Sequence, residues 1–268
     1  MTKLLSFSLF QQGNTGNRYV TGLLAQKELL EELYPNFLVR VYYDDSVPSD
    51  IINVFRKWKW ETCKCPISVG LSGMYWRLLP IWEEDIDLWY SREADLAQMY
   101  TVRKAEQYWE DYSDACFCGL YVAKDVSRIP NKLFGGLIGG KHNACQMIRQ
   151  QVPRDELLEK FNLHCNYLDD EKWLMGRIEP IVRNTLFRYE INRTDTFEGE
   201  RDGRYICPIV TPPLDSVVGR LSLLERTHNG FYFADNISPY YKGGTLPYSI
   251  ERCAATESRI QQLNITTR

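Results

Sequence analysis

The segment Trp89-Tyr-Ser-Arg92-Glu93-Ala94-Asp95 holds the residue pattern in this chain best suited to chemistry. Two carboxylates separated by one small residue, at the end of an apolar run, can both turn toward one ligand in the loop that follows. Hard divalent cations take carboxylate oxygens, and at phosphate sites one or two such groups hold the ion together with the phosphate itself. Such an ion neutralises the charge that builds on a departing diphosphate. A solvated strand end also explains two spaced acids, so the pair taken alone leaves that reading open.

Other residues have chemical and structural readings side by side. Asp169-Asp170-Glu171 begin a segment with helical spacing, and a helix amino terminus welcomes negative charge for its own reasons. Asp44-Asp45-Ser46 before Val47-Pro48 makes a good turn. Arg77, between Trp76 and Leu78, can lie along apolar surface with its head in water. The pairs Gly135-Gly136 and Gly139-Gly140 can be plain bends. The chain has eight cysteines, four of them in C-x-C pairs, Cys63/Cys65 and Cys116/Cys118. Zinc ligands are usually separated by two or more intervening residues, whereas C-x-C on a strand turns both sulfurs to one face and suits packing. A Cys/His hydrolase is a rival class, but no family signature surrounds any cysteine. Asn192-Arg-Thr194, Asn236-Ile-Ser238 and Asn264-Ile-Thr266 match the glycosylation sequon and are read as coincidental.

The elements that must position these residues follow from periodicity. Residues 3–10 alternate as a strand, and a polar turn follows at 11–17. Tyr19, Leu23, Leu24, Leu29, Leu30 and Leu33 recur at helical spacing until Tyr34-Pro35. A second strand spans 37–43. Ser49 or Asp50 caps a short helix over 51–58, and a third strand lies within 61–69. A helical stretch over 74–82, a strand at 87–91, a helix at 101–112 and a strand at 115–123 come next. Residues 169–184 read as one helix. From about residue 190 the texture turns to Gly, Pro, Thr and Tyr, with a candidate strand at 205–210 and a hairpin turn at Thr227-His-Asn-Gly230. Such strand-helix alternation predicts βαβ units in a mostly parallel sheet. Ligands then bind at the carboxyl ends of the strands, which points to the loops at 11–17, 44–46 and 92–95.

Composition narrows the class. Of 268 residues, 44% are hydrophobic and 25% charged, which excludes wholesale disorder. Lys and Arg number 32 against 35 Asp and Glu, a net charge of -3 that argues against a dedicated nucleic-acid binder. Uncharged runs such as 65–76 are shorter than the roughly 20 residues of a membrane span. The amino terminus shows no apolar block with a cleavage site, so a cytoplasmic location, in the producing or host cell, and reduced thiols are expected. The 17 Tyr and 7 Trp suggest a surface that handles ring-shaped ligands.

Motif order adds what single residues do not. Tyr75-Trp76-Arg77 comes before the two acids. Pro130-Asn131, then Phe134-Gly-Gly-Leu-Ile-Gly-Gly-Lys141, then Asp169-Asp170-Glu171-Lys-Trp173 follow them. In this order the chain resembles the DxD-type glycosyltransferases of the GT-A fold, with its closest likeness to a small group found in bacteria and large DNA viruses. That group has a "K-x-x-S-F-S-L-F" strand, a strand ending "Y-x-D-D-S-V-P", then "G-M-x-W-R-x-L" and "R-D-A-D". The matching residues here run from Lys3 to Phe10, Tyr42 to Pro48, Gly73 to Leu78 and Arg92 to Asp95, and the likeness covers roughly residues 3–185.

The resemblance implies a Rossmann-like sheet that binds a nucleoside-diphosphate sugar, usually with Mn2+ or Mg2+. It implies that Ser6 and Ser8 face the nucleotide, that Asp44 lies near base or ribose, and that Arg77 and Arg92 contact sugar or phosphate. Glu93 and Asp95 stand for the two motif acids, as donor and metal ligands. Gly135 and Gly136 let backbone approach the donor sugar or acceptor. Asp170, ahead of Asp169, is the candidate contact to the acceptor hydroxyl and, in an inverting enzyme, its base. Two departures stand out: the first motif acid is Glu rather than Asp, and a late His ligand is absent near Asn184, leaving only His228 as a distant substitute. The expectation is an α/β GT-A-like domain over 1–190 with a C-terminal extension over 191–268 packed on it. Its activity would be metal-assisted hexosyl or pentosyl transfer from a UDP- or GDP-linked sugar to a glycan or glycoprotein hydroxyl. The alternative is a catalytically degenerate nucleotide-sugar or glycan binder.

Overall fold

The computed structural model describes residues 1–10, 16–94, 100–122 and 132–190. Its first strand, β1 (Lys3–Leu9), sets the pattern for the rest. Leu5, Phe7 and Leu9 fall into one apolar layer and Leu4 into the other, as the two-residue period of a strand requires. Ser6 and Ser8 share the face of Leu4, which leaves that face partly polar in the middle of the sheet.

Six more strands complete the sheet: β2 (Leu38–Tyr43), β3 (Glu61–Lys64), β4 (Leu88–Arg92), β5 (Phe117–Val122), β6 (Lys132–Lys141) and β7 (Leu186–Glu190). Their order is β3-β2-β1-β4-β6-β5-β7. β6 runs antiparallel to β4 and β5, and every other pairing is parallel. The mostly parallel sheet is thus mixed at one position. Helices α1 (Gly16–Ala25), α2 (Lys27–Leu33), α3 (Ser49–Lys57) and α4 (Tyr100–Tyr112) cover one face. A 3-10 segment (Ser72–Trp82) with α5 (His142–Arg149), α6 (Arg154–Phe161), α7 (Asp169–Trp173) and α8 (Glu179–Val182) covers the other. Among the described residues, no helix is long and apolar enough to cross a membrane.

Several elements differ from the sequence reading. The single helix expected up to Tyr34 breaks at Gln26, whose buried carboxamide donates to the Ala94 carbonyl oxygen at 2.8 Å. The stretch expected as one helix over 169–184 is interrupted by a π turn (Leu174–Ile178) and ends in a 3-10 turn (Arg183–Thr185). β6 and β7 have no counterpart in the pattern, β6 because its four glycines erase the alternation that marks a strand. The expected C-terminal extension, 191–268, and with it His228, lies outside the described residues.

Candidate functional site

Strand order reverses between β1 and β4, so a crevice opens at their carboxyl ends, the usual ligand position in such sheets. Ser8 and Phe10 from the end of β1 and Glu93 and Ala94 after β4 line it. The cleft encloses about 70 Å3. Its second wall comes from the 3-10 segment. Three residues per turn place Leu71, Met74 and Arg77 in one column, and all three line the cleft. Tyr167, Leu168, Asp170 and Glu171, before and within α7, close the third side.

The serines of β1 hold the 3-10 segment by its backbone. Ser6 Oγ donates to the Arg77 carbonyl oxygen at 2.8 Å, and Ser8 Oγ accepts the Arg77 N–H at 3.0 Å. These bonds give both serines a structural task, and of the two expected to face the nucleotide only Ser8 lines the cleft. Ser6 is fully buried and spent on Arg77, while Ser8 reaches the cleft wall.

The Arg77 side chain is buried, and its guanidinium joins two acids from different elements. Nη1 donates to Glu93 Oε1 at 3.1 Å and Nη2 to Asp170 Oδ2 at 2.8 Å. Burial works against its charge, but the two carboxylates outweigh burial and raise its pKa above the ordinary arginine value. Nε is buried without a hydrogen-bond partner.

Gly135 and Gly136 pass beneath this cluster. A Cβ at Gly136 would fall 2.0 Å from Glu93 Cγ, and one at Gly135 would fall 3.0 Å from Asp170 Oδ2. The close approach seen at these glycines is to the protein's own acids.

α7 separates its two aspartates. Leu168 adopts a left-handed conformation, φ 75°, that few non-glycine residues take. The chain then turns so that Asp170 enters the cleft, whereas Asp169 accepts the Asn166 N–H at 2.8 Å and pairs with Lys172 at 2.9 Å. The Asn166 N–H first, and Lys172 next, hold the Asp169 carboxyl below the usual aspartate range. Of the two candidate bases, only Asp170 lines the cleft.

Two expected site residues are employed elsewhere. Arg92, fully buried, lies on the opposite face of the sheet, paired with Glu106 at 2.5 Å and stacked over the Tyr90 ring at 4.5 Å. The strand period puts it there, since Ser91 and Glu93 take the cleft face. Asp44 is buried and braces two loops, accepting the Ser46 N–H at 3.0 Å and the Ser68 N–H at 2.8 Å. Neither residue lines the cleft.

Asp95, the second motif acid, and Pro130-Asn131 lie outside the described residues. For a divalent ion, the described residues do not fit. Glu93 gives a carboxylate oxygen to a guanidinium cation, and among the described residues no group of three His, Cys, Asp or Glu is placed to hold a metal. Five of the described cysteines, Cys63, Cys65, Cys118, Cys145 and Cys165, are poorly suited to act as nucleophiles. Burial pushes Cys65 and Cys145 up to about 12 and also raises Cys63, Cys118 and Cys165.

Sequence reasoning missed Met74, Tyr19 and Tyr167 as cleft residues. The three-residue spacing of Leu71, Met74 and Arg77 was the available signal for Met74.

No family model matches the sequence, and no curated protein matches it. Solved structures do. An active-site mutant of LgtC is 10% identical, with 96% of each chain covered and a TM-score of 0.50. A glycosyltransferase involved in the glycosylation of the major capsid of PBCV-1 is 10% identical over 71% of this chain and 82% of its own, with a TM-score of 0.38. A cytidylyltransferase from Leptospira borgpetersenii serovar Hardjo-bovis is 10% identical over 100% of this chain and 98% of its own, with a TM-score of 0.43. At this identity the likeness extends to fold alone, and the first comparison carries it: the chain has a GT-A-like α/β fold.

Proposed function

We propose that this protein is a glycosyltransferase that moves a sugar from a nucleoside-diphosphate donor to a hydroxyl of a glycan acceptor. The observation that carries this reading is the crevice at the ends of β1 and β4, where Arg77 is fixed between Glu93 and Asp170. The order of motifs along the chain supports the same class. Asp170 is the group to take the acceptor's hydroxyl proton, because its carboxylate is inside the cleft and its geometry is fixed by Arg77. Positioning of donor and acceptor in a preorganised charged site supplies the rest of the rate.

A second reading, a nucleotide-sugar binder without turnover, draws on the engagement of the Glu93 carboxylate by Arg77. One panel tests the main proposal: UDP- and GDP-sugars, with and without Mn2+, followed by melting temperature and by donor hydrolysis or transfer. A ligand that binds only the folded state raises its stability, so a donor of the right class lifts the melting temperature. Absence of any shift and any turnover across the panel overturns it. Binding without turnover, unchanged in Asp95→Ala, selects the second reading.

A further inference from the structure

Glu93 stands where the related motif carries aspartate, and its surroundings say what the additional methylene does. We propose that Glu93 is a positioning residue that clamps Arg77, and through it the Asp170 carboxylate, instead of ligating a metal. The clamp acts on the site read above as catalytic, and so its role in turnover rests on that reading.

The geometry is a bridge with two anchored ends. One planar guanidinium uses separate nitrogens for the two acids, Nη1 for Glu93 and Nη2 for Asp170, and its rigid fork fixes how far apart they lie. Ser6 and Ser8 hold the backbone of the same arginine. The floor is shaped for the acids: a side chain at 136 would strike Glu93 Cγ, and one at 135 would crowd Asp170 Oδ2. Arg77 and Asp170 have almost no exposed side-chain surface, at 6% and 3%, while Glu93 keeps 24%. Glu93 reaches Nη1 only at 3.1 Å. An aspartate there is shorter by about 1.5 Å, one carbon–carbon bond, and falls out of hydrogen-bond range. Glutamine keeps both the length and an oxygen acceptor.

A clamp and a metal ligand therefore rank the same substitutions in opposite orders. A clamp tolerates Glu93→Gln and fails in Glu93→Asp and Glu93→Ala. A metal ligand tolerates Glu93→Asp, which restores the usual motif acid, and fails in Glu93→Gln and Glu93→Ala. The test compares these three variants with wild type in the full-length protein. The first readout, nitrogen-15 NMR of the Arg77 guanidinium, needs neither ligand nor turnover. Separate, slowly exchanging Nη signals should persist in Glu93→Gln and collapse in Glu93→Asp and Glu93→Ala. The second readout is Mn2+ affinity by electron paramagnetic resonance, expected to be equal in wild type and Glu93→Gln. The third is kcat and KM with any donor active in the panel. There, Glu93→Asp should lose roughly a hundredfold in kcat with little change in donor KM, the mark of misplacement. Loss of Mn2+ affinity in Glu93→Gln, or Arg77 signals in Glu93→Asp indistinguishable from wild type, overturns the proposal. If no donor turns over, the NMR series still decides the clamp, and the failure belongs to the functional reading.

Discussion

Asp169 and Asp170 are adjacent in the chain and opposite in employment. Asp170→Asn should lower turnover by about 10²–10⁴-fold, measured by steady-state kinetics, and should also lower the melting temperature in calorimetry, because buried Arg77 loses one of its two carboxylates. Asp169→Asn should keep turnover and change the pH profile of stability. Its folded carboxyl titrates below the unfolded one, so its contribution is present above the ordinary aspartate range and lost as pH falls through the lowered value. Urea unfolding at pH 7 and at pH 3 should therefore separate Asp169→Asn from wild type at the higher pH and narrow the gap at the lower. Arg92 belongs to the same scale. Arg92→Ala takes the nearest cation from fully buried Glu106, which keeps the Tyr34 hydroxyl and Arg103, and should cost about 3–5 kcal/mol in chemical unfolding. Replacing both partners, Arg92→Met with Glu106→Leu, should recover much of that loss, and neither change should touch nucleotide affinity. Only the alternation of β4 distinguishes Arg92 from Glu93. The motif made both look like ligands because a one-dimensional pattern does not say which face a residue takes.

At the level of elements, β1 to β4 were legible because their apolar residues alternate or run together between turn residues. β6 was not. Its glycines look like bends in sequence, and the reason for them is the bulk of β4 and α7 side chains lying on the strand, which appears only in three dimensions. The 3-10 segment hid its functional column for a related reason. A helical reading groups residues at 3.6 per turn, whereas Leu71, Met74 and Arg77 align at 3.0. Gly136→Ala tests the seat under Glu93. The new methyl collides with Glu93 Cγ and should destabilise by about 1–3 kcal/mol. In the background of Glu93→Ala, which removes the colliding atoms, the same change should cost far less, and a double-mutant cycle of unfolding free energies checks it.

Across the molecule, the two faces of the sheet divide the labour. The cleft face carries the site, and the other face carries a buried network of charges between β1, β4 and α4. There Glu110 accepts from Lys3 at 2.8 Å and from the Tyr90 hydroxyl at 2.9 Å, and it pairs with Arg103. Burial alone would raise the Glu110 carboxyl, but Arg103 and Lys3 outweigh it and hold it below the usual glutamate range. Stability from this group is present above the unfolded glutamate value and lost as pH falls through the folded one. Glu110→Gln should flatten the acid side of a melting-temperature profile taken between pH 7 and pH 3. The strand directions have one more consequence. β7 runs parallel to β5, which shares the direction of β4, so Glu190 arrives at the edge of the sheet where the cleft opens. Three strand spacings, about 14 Å, separate β7 sideways from β4. A spin label attached at position 190 would make the sheet itself a ruler, with paramagnetic broadening of a bound molecule's resonances gauging its distance from that edge.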